Sequence, residues 1–99
     1  MELSDKIKSL PNRPGIYQFK DEEGKVIYVG KAKKLRNRVK SYFNDATTHN
    51  GKTRVLVRKI KDLSYMEVES EQDALLLENN LIKEFKPRYN ILLKDDKTF

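Results

Sequence analysis

No cysteine occurs in the 99 residues, and only one histidine. A disulfide scaffold and any thiolate zinc site are therefore excluded, and the chain suits a reducing cytosol. His49 lies in a polar Asp-Ala-Thr-Thr-His-Asn-Gly stretch and is assigned no role. No apolar run approaches the roughly 18 residues needed to cross a bilayer, and the first residues form no signal peptide, so no membrane partner is expected. Hydrophobic residues make up 37% and charged residues 36%, which predicts a single small domain over 1–99 with a modest core. Acidic residues are scarce where basic ones gather. Between Lys31 and Lys61 eleven lysines and arginines face only Asp45, and the whole chain carries +6. A block of this kind marks a nucleic-acid surface more readily than a merely soluble face. Membrane-surface binding fits less well, because a loop interrupts the block and no broad apolar face accompanies it.

The densest pattern lies between Pro14 and Phe43. Gly15–Lys20 and Lys25–Gly30 are β-branched and aromatic runs, and Asp21-Glu22-Glu23-Gly24 between them is a hairpin loop. With four loop residues, Lys20 faces Lys25, Tyr17 faces Tyr28, Phe19 faces Val26 and Gly15 faces Gly30. The two phenols then share one face, and a one-residue slip would separate them. Leu35, Val39, Tyr42 and Phe43 recur at helical spacing over Leu35–Phe43. Lys31, Lys33 and Lys34 lead into that helix start, where an anion is favoured and cations are not, an arrangement suited to a phosphate.

Elsewhere Leu3, Ile7 and Leu10 predict a short helix ending before Pro11. A loop is expected over Asn44–Gly51. A helix from about Lys52 to Lys61 would turn Val55, Leu56 and Ile60 inward, and a third strand is expected over Ser64–Glu69. Ser70 and Asp73 form a capping box for a helix running to about Phe85, with Ala74, Leu75, Leu77, Leu81, Ile82 and Phe85 as apolar positions. Pro87 ends it, and Ile91-Leu92-Leu93 is a short apolar run before a charged tail. There is no internal repeat or linker. The economical architecture is α+β, a small antiparallel three-stranded sheet flanked by helices.

Two polar residues stand on apolar stripes. Arg38 lies three residues after Leu35 and four before Tyr42, so it must snorkel, pair with an anion or meet a ligand. Glu78 lies four after Ala74 and four before Ile82. A carboxylate there is costly unless it is ion-paired, for instance with Arg38, or binds a metal. Glu71 is nearly in line with Glu78, but in the first turn the helix dipole explains it.

Gly15-Ile16-Tyr17 followed by Tyr28-Val29-Gly30 resembles the paired signature of the GIY-YIG nucleases. The run Tyr28–Phe43, with Thr53–Ile60, Asp73–Glu78 and Pro87–Asn90, resembles one branch, the amino-terminal nuclease domain of UvrC, the incision subunit of bacterial nucleotide excision repair. The resemblance implies that family's fold and, residue by residue, its site. Tyr17, Tyr28, Lys31, Arg38, Tyr42 and Asn90 match active-site positions, and Glu78 matches the metal-binding glutamate. Lys33, Lys34, Arg36, Lys40, Arg54 and Arg58 are the expected DNA contacts. The second signature reads Tyr-Val-Gly in place of Tyr-Ile-Gly, a conservative change. Whole UvrC proteins also carry a helicase-subunit interaction segment, a second nuclease domain and a helix-hairpin-helix module, none of them in these residues. An excised, monomeric, cytoplasmic domain is expected.

The activity so implied is divalent-metal-dependent hydrolysis of a DNA phosphodiester on the 3′ side of a lesion. The partners would be damaged duplex DNA and a UvrB-type repair subunit, engaged through parts absent here. One Mg²⁺ or Mn²⁺ on Glu78 would suffice, since such ions keep several waters. Arg38 would fork onto the phosphate. Tyr17 or Tyr28 would be the base, with Lys31, Arg38 and the metal lowering its pKa; Tyr28 is nearer Lys31. Asn90 and Tyr42 would position groups around the phosphate. A homing or restriction-type nuclease and a non-catalytic basic DNA-binding module are the alternatives.

Overall fold

The computed structural model describes residues 3–44 and 51–93. Its elements are α1 (Leu3–Lys8), β1 (Gly15–Lys20), β2 (Val26–Ala32), α2 (Leu35–Asn44), α3 (Gly51–Lys59), β3 (Asp62–Glu67), α4 (Glu71–Phe85) and α5 (Arg88–Leu93). The strands form one antiparallel sheet in the order β2-β1-β3. Of the expected loop, Asn44 ends α2 and Gly51 begins α3; residues 45–50, His49 among them, and the tail from 94 lie outside the described residues.

Side chains alternate across the sheet and build a core on each face. On one face Tyr17, Phe19 and Leu63 pack with Ile7, Leu10, Leu35, Val39, Tyr42, Leu56, Ile60 and Tyr89. On the other, Ile16, Val26 and Val29 meet Ala74 and Leu81 of α4. α4 begins at Ser70, whose hydroxyl accepts from the Asp73 N–H at 3.2 Å. It stops at Lys86, which takes a left-handed conformation and donates its N–H to Ile82 O at 2.8 Å. Pro87 follows, and the short apolar run beyond it is helical.

Three expectations of detail need correction. The third strand lies two residues earlier than its alternation suggested, at Asp62–Glu67. Its ladder with β1 closes where Pro14, which has no N–H, can only accept from Val68 N at 3.0 Å. Val55 faces solvent, because α3 turns Leu56 and Val57 to the core, where Ile60 joins them just past the helix end. Leu75 and Phe85 of α4 are also exposed; the helix rests on the sheet through Ala74 and Leu81, and among the described residues no further layer covers its outer side.

The hairpin register differs as well. Asp21 pairs with Lys25 around a three-residue loop in which Gly24 adopts φ 82°, and Asp21 Oδ1 accepts from the N–H groups of Glu23 and Lys25. Beyond it Lys20 faces Val26 but Phe19 faces Tyr28, so Ile27 is an extra, bulged residue. The shorter loop and the bulge each move the register by one. Together they restore the parity, so Tyr17 faces Gly30 and Tyr28 still shares its face.

Candidate active site

Tyr17 and Tyr28 sit diagonally on that face with ring centroids 6.3 Å apart, and Tyr42 of α2 closes the group at 5.8 Å from Tyr17 and 6.3 Å from Tyr28. Phe19 fills the floor, 5.1 Å from both Tyr17 and Tyr42. The Tyr17 and Tyr42 hydroxyls share a hydrogen bond of 2.9 Å. Tyr17 is 1% exposed, whereas Tyr28 is half-buried. Opposite Tyr17, Gly30 has no room for a side chain: a Cβ there would run into the Tyr17 hydroxyl and ring.

Of the cations expected to depress the tyrosine pKa values, Arg38 does so, but burial outweighs it. Burial pushes both Tyr17 and Tyr28 well above the ordinary phenol value, and the neighbouring phenols push the same way. Arg38 opposes this at both residues; Lys31 plays no such part. The Arg38 guanidinium is exposed, lies 5.3 Å from the Tyr42 ring centroid, and is itself held more firmly charged, chiefly by Tyr17. It therefore lies over the phenols, with the Tyr17 hydroxyl as a hydrogen-bonding neighbour of its guanidinium. Among the described residues it makes no ion pair with Glu78, so that structural alternative falls away.

Glu78 approaches from the other face of the sheet. β2 is an edge strand, and its outer backbone groups need partners. At Val29 they are met by Asn90: the Val29 N–H donates to Oδ1 at 2.7 Å and Nδ2 donates to Val29 O at 2.8 Å. Asn90 thus mimics a neighbouring strand, and its amide is committed to the backbone of the second signature. It is a positioning residue: the expectation was that it positions groups around the phosphate, and what its amide holds is the strand that carries Tyr28 and Lys31. At the next outward position, Lys31, Glu78 stands beside the backbone N–H. Burial raises the Glu78 pKa, against the Lys31 ammonium and that N–H, which lower it. The Tyr28 phenol feels both Arg38 and Glu78. Tyr28, Lys31, Arg38 and Glu78 accordingly converge on the free edge of β2, with Tyr17 and Tyr42 behind them.

The start of α2 is less open to an anion than expected. Leu35 N donates to Arg13 O at 3.1 Å and Asn37 N to Asn12 Oδ1 at 3.2 Å. Nothing in the local pattern announced Asn12 as a cap from 25 residues away. Of the expected DNA contacts, Lys33, Lys34, Lys40, Arg54 and Arg58 are exposed. Lys33 pairs with Glu71, and Arg58 lines a cavity against the acidic hairpin loop. Arg36 is half-buried and donates to Leu10 O at 3.4 Å, tying α2 to the end of α1.

The sheet, the paired signature and the tyrosine–arginine–glutamate edge define a GIY-YIG domain. The UvrC-like GIY-YIG domain family matches residues 13–91, and the chain belongs to that family. UvrABC system protein C of Chlorobium luteolum is 62% identical over 98 residues, covering 99% of this chain and 16% of that protein. The Bacteroides fragilis counterpart is 63% identical, covering 94% of this chain and 15% of that one. The chain thus spans about 16% of the length of the curated relatives it matches. Among solved structures, the GIY-YIG N-terminal endonuclease domain of UvrC from Thermotoga maritima, bound to its catalytic magnesium, superimposes with a TM-score of 0.78. It is 40% identical, over 89% of this chain and 94% of that one.

Proposed function

We propose that this chain is the divalent-metal-dependent endonuclease domain of a nucleotide excision repair protein. It hydrolyses a DNA phosphodiester on the 3′ side of a lesion, as a single cytoplasmic domain (itself monomeric) of a larger protein that works with a UvrB-type partner. The observation that carries this reading is the cluster of Tyr17, Tyr28 and Tyr42 on one face of the sheet with the Arg38 guanidinium over the Tyr42 ring.

The residues fit a metal. Glu78 is a half-buried carboxylate without an ion-pair partner among the described residues, and burial alone disfavours its charge. No group of three or more metal-binding side chains forms among those residues, so one carboxylate, water and substrate oxygens make up the set. A Mg²⁺ or Mn²⁺ held there would neutralise charge on a phosphoryl oxygen and on the leaving 3′ oxygen.

Arg38 offers its fork to the phosphoryl oxygens, a contact that strengthens as charge develops. Tyr28, half-buried, would take the proton of the attacking water as a phenolate, after its own proton has been released to solvent; Tyr17, enclosed and bonded to Tyr42, orients the cluster. In the free protein Tyr28 keeps its proton at neutral pH, so catalysis draws on the positive charge gathered at the edge. Asn90 holds the strand that carries Tyr28, and Lys31 keeps positive charge beside Glu78.

Single-turnover incision of a lesion-bearing duplex, with the full-length protein and its partner subunits, tests this. Cutting should require Mg²⁺ or Mn²⁺ and stop with chelator, and its rate should rise with pH. Tyr28→Phe should abolish it, and Tyr17→Phe should impair it less. A duplex that is bound but never cut, whatever the metal, would leave only a binding module.

A further inference from the structure

A second cleft adjoins the edge site. Lys33, just beyond β2, places Nζ 3.4 Å from Glu71 Oε2 in the first turn of α4, with both side chains mostly exposed, at 76% and 63%. The pair closes over a cavity of about 170 Å³ lined by Lys31, Ala32, Lys33, Glu71 and Ala74. Lys31 lines this cavity and is also the neighbour of Glu78, so the cavity adjoins the edge site. Glu71 precedes Glu78 by seven residues, two turns up one flank of the helix and roughly 10 Å along its axis. A DNA strand advances about 3.4 Å per nucleotide, so one running along α4 from a scissile phosphate at Glu78 brings another phosphate over the cleft about three nucleotides away.

The cleft holds two lysines and one carboxylate. A phosphate arriving there would be drawn by Lys31 and Lys33 and repelled by Glu71, and Glu71 already occupies Lys33. An exposed ion pair is weak enough for a phosphate to displace it. We propose that this cleft is a second phosphate subsite for the strand being cut, with Lys31 and Lys33 as its ligands and Glu71 as a built-in competitor that the phosphate displaces from Lys33. The subsite rests on the nuclease reading above. It rewards a strand that runs the length of α4 and withholds Lys33 from one that touches only the edge.

The test is equilibrium binding of a fluorescent DNA duplex by the 99-residue chain carrying Glu78→Gln, so that nothing is cut. Glu71→Gln should tighten binding about threefold to fivefold, the scale set by an exposed ion pair. Lys33→Gln should weaken it by a similar factor, and most of the Glu71→Gln gain should vanish when Lys33 is also Gln. Lys33→Arg, which keeps the charge, should restore the gain. Melting curves on each variant exclude a folding artefact. An equal gain with and without Lys33 would reduce Glu71 to a general charge effect and overturn the subsite, as would no gain at all. If the parent does not bind the duplex, or binds it and the cycle shows no coupling, the subsite fails, while the nuclease reading stands or falls on the incision test above.

Discussion

Tyr17 lies directly across the β1–β2 ladder from Gly30, and its phenol fills the space a side chain at Gly30 would need. The last glycine of the second signature is thereby explained by the tyrosine of the first. Tyr17 cannot yield, because Phe19, Tyr28 and Tyr42 surround it and it is hydrogen-bonded to Tyr42.

Gly30→Ala should therefore destabilise the fold by about 1–3 kcal/mol, the usual cost of overpacking a tight core. It should also lower incision beyond what the loss of folded protein explains, since relieving the clash strains the whole Tyr17–Tyr28–Tyr42 cluster. Chemical denaturation and single-turnover incision on one preparation check both parts. Unchanged stability would mean that the ring moves freely and that Gly30 has another purpose.

What the sequence disclosed was mostly periodicity. Polar residues on apolar stripes located Arg38 and Glu78, because a charge at a core position needs a reason wherever the helix packs. Tyr17 and Tyr28 on one face were also legible, although through a register that the loop and the bulge at Ile27 both alter. That bulge was hidden, since Val26, Ile27 and Val29 suit either face of a sheet equally. Asn90 was hidden for another reason. Its partner is a backbone 61 residues away, and a side chain that imitates a strand leaves no local pattern. At the tyrosines the pull of Arg38 was legible and the larger opposing effect of burial was not, because neighbouring cations are visible in sequence and desolvation is not.

Asn90→Ala should leave the buried N–H and C=O of Val29 without partners, at about 1–3 kcal/mol for each group. The loss should concentrate at the edge strand. Amide hydrogen exchange at Val29 should accelerate well beyond that at Ile16, whose strand β1 is paired on both sides. Asn90→Asp keeps the acceptor but sets a carboxylate against a carbonyl, and it should be no better. Uniform acceleration across the sheet would deny Asn90 its local clamp.

Glu78→Gln tests metal and fold separately. Burial raises the Glu78 pKa in the folded state. Below the ordinary carboxylate range the group is protonated in both states and costs nothing; as pH rises through the folded value, its ionisation opposes folding. With chelator present, Glu78→Gln should therefore melt at or above the parent at neutral pH, and the difference should close towards pH 4. Added Mg²⁺ should raise the melting temperature of the parent and leave the variant unmoved, and incision should be lost. A variant that is less stable at pH 7 and still responds to Mg²⁺ would place the metal elsewhere.

Arg38 is exposed over Tyr42 and makes no ion pair among the described residues, so little of the fold depends on it. Arg38→Lys keeps the charge and gives up the planar fork. If the fork grips the phosphoryl oxygens in the transition state, its loss should cost about 3 kcal/mol, on the order of a hundredfold in single-turnover rate. Duplex affinity should change little, because one phosphate contact of like charge remains. Thermal stability should stay near that of the parent, since a lysine can lie over the same ring. Arg38→Ala should cut no faster and should bind more weakly. Both variants also remove or shift the charge that opposes the raised Tyr28 pKa, so the remaining activity should need a higher pH than the parent requires. Near-normal cutting by a stable Arg38→Lys at neutral pH would take Arg38 out of the chemistry and leave Tyr28 and Glu78 to account for it.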